Sequence, residues 1–86
     1  AVVYRTLRQV ADAVSAGRAI AEACREAVEI LHCAGLVPDY VEVREAGSLL
    51  APQDQDRQLV ALTAARLGRA RLIDNIVFER DAVPVV

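Results

Sequence analysis

Leu59-Val60-Ala61-Leu62-Thr63-Ala64-Ala65, Arg66-Leu67-Gly68-Arg69-Ala70 and Arg71-Leu72-Ile73-Asp74-Asn75-Ile76-Val77-Phe78-Glu79 follow one another without a break, and their reading decides the fold. The first and third segments are apolar and of strand length. The middle one holds a glycine between charged residues. A connection this short joins antiparallel neighbours, so the three segments predict a hairpin. Upstream, Asp39-Tyr40-Val41-Glu42-Val43-Arg44 alternates, with Val41 and Val43 on one side and Tyr40, Glu42 and Arg44 on the other. That period of two predicts a further, half-buried strand. Glu45 to Asp56 carries Gly47 and Pro52 and reads as the connection between strands. Within it Ser48-Leu49-Leu50 is expected to form one helical turn capped by Ser48.

Before Asp39 the period is helical. Val3, Leu7, Val10 and Val14 recur at spacings of four, three and four, while Arg5, Arg8, Gln9 and Asp12 occupy the other side. This predicts an amphipathic helix from Val2 to Ala16, stopped by Gly17. A second helix is predicted from Arg18 to Ala34, with Ile20, Cys24, Ala27, Leu31 and Ala34 as its apolar stripe and Glu22, Arg25, Glu26 and Glu29 facing water. Gly35 ends it and Pro38 prevents a restart. The expected architecture is α+β: a two-helix layer packed on a small, mostly antiparallel, three-stranded sheet, in a single domain of residues 1–86. The tail Arg80 to Val86, which contains Pro84, is expected to fray.

Composition narrows the function. The chain has 86 residues, a net charge of −2 and a hydrophobic fraction of 55%. So short a chain has a thin core, and the apolar excess points to surface meant for a neighbour. A start at Ala1 without methionine fits a piece of something longer. All ten basic residues are arginine. Without lysine there is no Schiff base and no P-loop contact. The acidic balance and the 3% aromatic content speak against a nucleic-acid partner. No stretch has the length and hydropathy of a membrane span, nor the pattern of a signal segment, so a cytoplasmic protein with no membrane partner is expected.

Candidate chemistry is sparse. Cys24 and Cys33 lie nine residues apart on one predicted helix, on opposite faces and roughly 13 Å apart along its axis. They cannot bond to each other while the helix stands, and they read as reduced, core-filling thiols. His32, the sole histidine, sits in a last helical turn and reads as a cap rather than a base. Cys24, His32 and Cys33 lack the spacing of a zinc site. Asp54-Gln55-Asp56 opens like a calcium loop, but Leu59 and Ala65 stand where glycine and glutamate are needed. Arg66, Arg69 and Arg71 read as a solvated turn or as partners of acidic groups, ahead of a phosphate contact. Asp74 and Asn75 interrupt an apolar strand, and one of them must point to the core side. Two readings stay open for the pair: a bulge or structural hydrogen-bond network, or contact with a neighbouring domain.

Three segments taken together carry a family resemblance. Asp39 to Arg44 followed by Leu49, then Ala64-Ala65-Arg66-Leu67-Gly68, then Arg71-Leu72-Ile73-Asp74-Asn75-Ile76 closely resemble the closing half of the pantothenate synthetases, or pantoate–β-alanine ligases. The first helix, with Leu7, Val10-Ala11-Asp12 and Ala16-Gly17, is similar to the first helix of that family's C-terminal domain. The resemblance implies a two-domain enzyme whose N-terminal, Rossmann-like domain forms pantoyl adenylate from ATP and pantoate with magnesium. β-Alanine then attacks, releasing pantothenate and AMP. The family's histidine pair, phosphate-binding lysine and serine-serine-arginine segment all precede the matched region. No catalytic, substrate-binding or metal residue is therefore carried over, and this chain is expected to bind no cofactor and to be inactive alone. The role left for it is a lid. Arg71, Asp74 and Asn75, with Tyr40 as a further candidate, are expected to form the docking surface. The expected partner is the N-terminal nucleotide-binding domain of the same enzyme, itself a homodimer. The alternatives are a free-standing interaction or oligomerisation domain, or a nucleic-acid binder using the turn arginines.

Overall fold

The computed structural model describes residues 2–81. Helices α1 (Val2–Ser15) and α2 (Ile20–Cys33) precede strands β1 (Val37–Glu45), β2 (Gln58–Leu67) and β3 (Ala70–Glu79). The sheet order is β1-β2-β3 and both pairings are antiparallel. The expected two-layer α+β arrangement is what the chain forms, with a sheet antiparallel throughout.

Both helices stop where their glycines require. After α1, the Arg18 N–H donates to the Ala13 carbonyl and the Gly17 N–H to the Val14 carbonyl. After α2, the Leu36 N–H donates to Leu31 and the Gly35 N–H to His32. These paired bonds are the Schellman closure, which places the intervening residue in the left-handed region. Gly17 and Gly35 stand there, at φ +98° and +88°. The first closure consumes Gly17 and Arg18, so α2 begins at Ile20 and not at Arg18. Ala19, in extended conformation, precedes it without a side-chain cap.

Val3, Leu7, Val10, Ala11 and Val14 of α1 meet Ala23, Ala27 and Leu31 of α2 and Leu36. Together they cover Val41 and Val43 of β1, Leu59, Ala61 and Ala65 of β2, and Ile76 of β3, forming the core. Thr6 is buried too, but its hydroxyl donates to the Val2 carbonyl one turn back at 2.7 Å, so it carries no unmet polar cost. The α2 stripe is centred on Ala23, Ala27 and Leu31, with Ile20, Cys24 and Val28 partly buried. Ala34 lies beyond the helix and is exposed. Cys33 is exposed as well, two residues or about 200° around the helix from buried Leu31, which corrects its reading as a core thiol. Cys24 is half-buried, and burial, assisted by the Glu42 charge, raises its thiol pKa.

The hairpin turn is tighter than the sequence predicts. Only Gly68 and Arg69 lie outside the strands, because Arg66 pairs with Arg71 and Leu67 with Ala70. Gly68 has φ +60°, and Arg69 is not among the positive-φ residues, as a two-residue type II′ turn demands. The β2–β3 connection therefore needs no longer loop. The β1–β2 connection holds no helical turn over Ser48-Leu49-Leu50, although Ser48 does act as a local cap, its hydroxyl accepting the Leu50 N–H at 3.2 Å. The Glu45 carboxylate accepts the N–H groups of Gly47 and Ser48, and Leu49 turns the chain at φ +62°. Those backbone bonds hold the Glu45 pKa below its ordinary value. The expectation of a frayed tail falls on residues 82–86, outside those described, apart from Arg80 and Asp81. Arg80 is tied down, its guanidinium donating to the carbonyls of Asp56 and Gln53.

Candidate functional site

Strand alternation sorts the candidate residues onto two sides of the sheet. The helices cover the side bearing Val41, Val43, Leu59, Ala61, Ala65 and Ile76. The other side carries Tyr40, Glu42 and Arg44 of β1, Val60, Leu62 and Ala64 of β2, and Ile73, Asn75 and Val77 of β3. The register lines these up in three rows across the sheet: Tyr40–Ala64–Ile73, Glu42–Leu62–Asn75 and Arg44–Val60–Val77. Tyr40 and Asn75 thus share the uncovered face. Asp74 is half-buried on the helix side.

Arg71 belongs to a different arrangement, at the hairpin end. Pro38 pairs with Ala65 and Tyr40 with Ala64, so Asp39 is an extra residue, a β-bulge in β1. The bulge sets the Asp39 carboxylate between two strands' arginines. Arg66 donates to one carboxylate oxygen at 3.0 Å and Arg71 to the other at 3.1 Å. The Asp39 side chain keeps 24% of its exposure and both arginine side chains more than half of theirs, so solvent and salt still screen the cluster. The hydrogen bond from Arg66, then that from Arg71, holds the Asp39 pKa below the usual carboxylate value. Two of the three arginines read as a cluster from sequence are thus engaged within the fold, sharing one carboxylate. Thr63, buried beside the bulge, donates its hydroxyl to the Tyr40 carbonyl at 2.7 Å. Neither Asp39 nor Thr63 stood out in the sequence. An Asp one residue before the alternating run was the only available signal.

The polar break at Asp74-Asn75 also has a geometric account. A two-residue hairpin closes on a hydrogen-bonded pair, here Leu67 and Ala70, so the even-numbered residues of β3 direct their backbone groups to β2. The Arg80 N–H donating to Arg57 continues that phase. The odd-numbered residues direct theirs to the outer edge. One of these edge donors, the N–H of Asn75, is taken up by the Asp74 carboxylate at 2.8 Å. Asp74 therefore plugs the free edge of β3 in mid-strand, a known protection against pairing with another chain.

The remaining candidates stay apart. His32 is exposed at the end of α2, and Cys24 and Cys33 lie on different faces of that helix. Asp56 accepts the Gln53 N–H and so closes its own loop. Among the described residues no three His, Cys, Asp or Glu side chains gather as a metal site would need, and no helix is long and apolar enough to cross a membrane. What the geometry offers is a surface: an apolar sheet face with both neighbouring edges obstructed.

Comparison with known proteins adds the following. Residues 1–77 match the family model described as pantoate-beta-alanine ligase. The chain is 51% identical over 80 residues to a pantothenate synthetase of Shewanella loihica, covering 93% of this chain and 28% of that protein. It is 47% identical over 81 residues to one of Methylococcus capsulatus, with the same coverage. A crystal structure of the Thermus thermophilus pantothenate synthetase superposes with a TM-score of 0.75 at 32% identity, covering 87% of this chain and 28% of that one. The chain thus spans little more than a quarter of the length of the relatives it matches.

Proposed function

The chain belongs to the pantoate–β-alanine ligase family, and from that premise we propose that it is the C-terminal lid domain of an ATP-dependent, AMP-forming ligase that joins pantoate to β-alanine. The observation that carries this reading is the match over residues 1–77 in a chain that covers only 28% of a relative's length. The chain's own inventory agrees with it. A nucleotide would need a cationic or glycine-rich cradle; here there is no lysine and no such loop, and Arg66 and Arg71 are already engaged with Asp39. These residues do not fit ATP or magnesium, which belong in this reading to the N-terminal domain.

The lid's contribution is physical. An acyl adenylate is a mixed anhydride that water destroys, and a domain closed over it excludes water while the amine attacks. Such a lid must be stiff and must present a surface to its partner. The Schellman closures and the Asp39 clasp supply stiffness, and the uncovered sheet face is a surface of suitable character. The full enzyme in this reading is cytoplasmic, and a homodimer held by its other domain.

The test is pantothenate and AMP production from ATP, magnesium, pantoate and β-alanine. The full-length polypeptide containing this domain is expected to turn over and the 86-residue chain to be inert. Turnover by the short chain, or none by the full one, refutes the proposal. Asp74→Ala in the full enzyme is a finer probe: unchanged stability and turnover remove Asp74 from any role.

A further inference from the structure

Arg66 and Arg71 stand directly opposite each other on β2 and β3. Leu67 and Ala70 close the hairpin as a hydrogen-bonded pair, so the next pair, Arg66 and Arg71, is of the other kind, in which side chains come closest. Like charges at such positions destabilise a sheet. A glutamate at either position would pair with the arginine opposite and need nothing from β1. Instead the surplus residue of β1, Asp39, brings one carboxylate to both guanidinium groups. Among the described residues it is the only carboxylate that pairs with either. Two positive charges thus meet one negative charge, and one positive charge is left over.

The donors are not used up either. Arg66 reaches Asp39 through Nε and Nη2, at 3.3 and 3.0 Å, and Arg71 through Nε alone, at 3.1 Å. Nη1 of Arg66 and both Nη groups of Arg71 keep their N–H donors, on side chains more than half exposed. By alternation these arginines share the uncovered face with Ala64 and Ile73. Ile73, next but one to Arg71 along β3, is 65% exposed. The arrangement fits a small ligand with one carboxylate and a short aliphatic chain, the carboxylate on the unused donors and the chain against Ile73. A like-charge pair held in place by a bulge breaks a local rule of sheet stability, and such breaks mark sites.

We propose that Arg66 and Arg71 bind the carboxylate of the amine substrate, with Asp39 as the residue that positions them. The proposal rests on the ligase reading above and deepens it by giving this domain a substrate group of its own. The chemistry of the substrates selects this one. The triphosphate of ATP carries several negative charges, too many for the single positive charge left over here. The pantoate carboxylate is the reacting group and is converted to the adenylate. The β-alanine carboxylate takes no part in bond making and stays charged throughout, so a closed site must meet it with a cation. The same cation disfavours protonation of the amine at the ligand's other end, which must be neutral to attack.

The full-length polypeptide allows the two half-reactions to be read apart. Pantoate-dependent exchange of pyrophosphate into ATP, without β-alanine, reports adenylate formation; pantothenate production reports amine attack. Arg71→Gln and Arg66→Gln are each expected to raise KM for β-alanine at least about tenfold and to leave the exchange rate within about twofold. Arg71→Lys, which keeps the charge and loses the fork, should raise it less. Arg69→Gln, at the turn, should change neither. An unshifted KM for β-alanine overturns the proposal, and so does an equal loss in both half-reactions, since the arginines then hold the fold or a carboxylate of the enzyme itself. The unmutated polypeptide gives a reading that does not depend on how the variants fold. With ATP, magnesium and pantoate present, propionate, which has the carboxylate and lacks the amine, should slow phenylglyoxal modification of Arg66 and Arg71 several-fold and leave Arg69 unaffected; no selective protection overturns the proposal. An unmutated polypeptide that makes no pantothenate refutes the ligase reading and this proposal with it, whereas an active one whose variants show no shift in KM refutes the proposal alone.

Discussion

Replacing Gly35 by alanine isolates a single physical term. Gly35 closes α2 at φ +88°, and a Cβ built there meets nothing within 4 Å. Steric overlap therefore contributes nothing, and the cost is the backbone's own. An L-residue in the left-handed region costs about 1–2 kcal/mol. Against this, alanine restricts the unfolded chain more than glycine does, which returns about 0.4–1 kcal/mol. The net loss is on the order of 1 kcal/mol, and in a domain of this size that lowers Tm by about 4–8 °C. Asparagine accepts the left-handed region more readily, so Gly35→Asn is expected to lose less than half as much. Thermal unfolding followed by circular dichroism reads both. An alanine variant as stable as the parent, or an asparagine variant no better than alanine, refutes the account of the closure. It would also remove the reason Leu36 turns back under Leu31.

Asp39→Asn is expected to lower the urea midpoint at neutral pH, more at low salt than at high. The folded Asp39 pKa is depressed, so the carboxylate's contribution is full above its unfolded value of about 3.9 and vanishes as pH falls through the lower folded value. The gap between parent and variant must therefore close in strong acid; a gap independent of pH refutes the pairing with Arg66 and Arg71. Leu31→Ala, which empties a fully buried site, is expected to cost about 2–5 kcal/mol, whereas Leu50→Ala, 68% exposed, changes stability by less than about 0.5 kcal/mol. Equal denaturant midpoints for these two would show the core misplaced. A thiol reagent should modify Cys33 quickly and Cys24 slowly in the folded chain, and both alike in urea; equal native rates contradict the half-burial of Cys24.

The elements that could be read from sequence are those whose cause is local. Val3, Leu7, Val10 and Val14 mark the buried side of α1 because a helix repeats every 3.6 residues. Gly17 and Gly35 mark its and α2's stops because few other residues accept positive φ. The hairpin is legible, but composition alone makes its loop look longer than it is. Arg66 and Ala70 look like turn residues by composition, and only the type II′ geometry at Gly68 shows that two residues suffice. The bulge at Asp39 was invisible, since whether one residue is surplus depends on pairing with Ala64 and Ala65 across the sheet. Of the proposed docking residues, Tyr40 and Asn75 fall on one face by alternation alone. Arg71 is drawn aside by Asp39, and the edge-plugging role of Asp74 depends on the phase of hydrogen bonding, which hydropathy does not reveal.

The surplus residue at position 39 joins parts that would otherwise come loose separately. One carboxylate, lifted out of the pleat of the first strand, grips a side chain from each of the other two. Amide protons near the Gly68 turn should therefore exchange with solvent together, at a common rate, and not in sequence from the outermost strand inward.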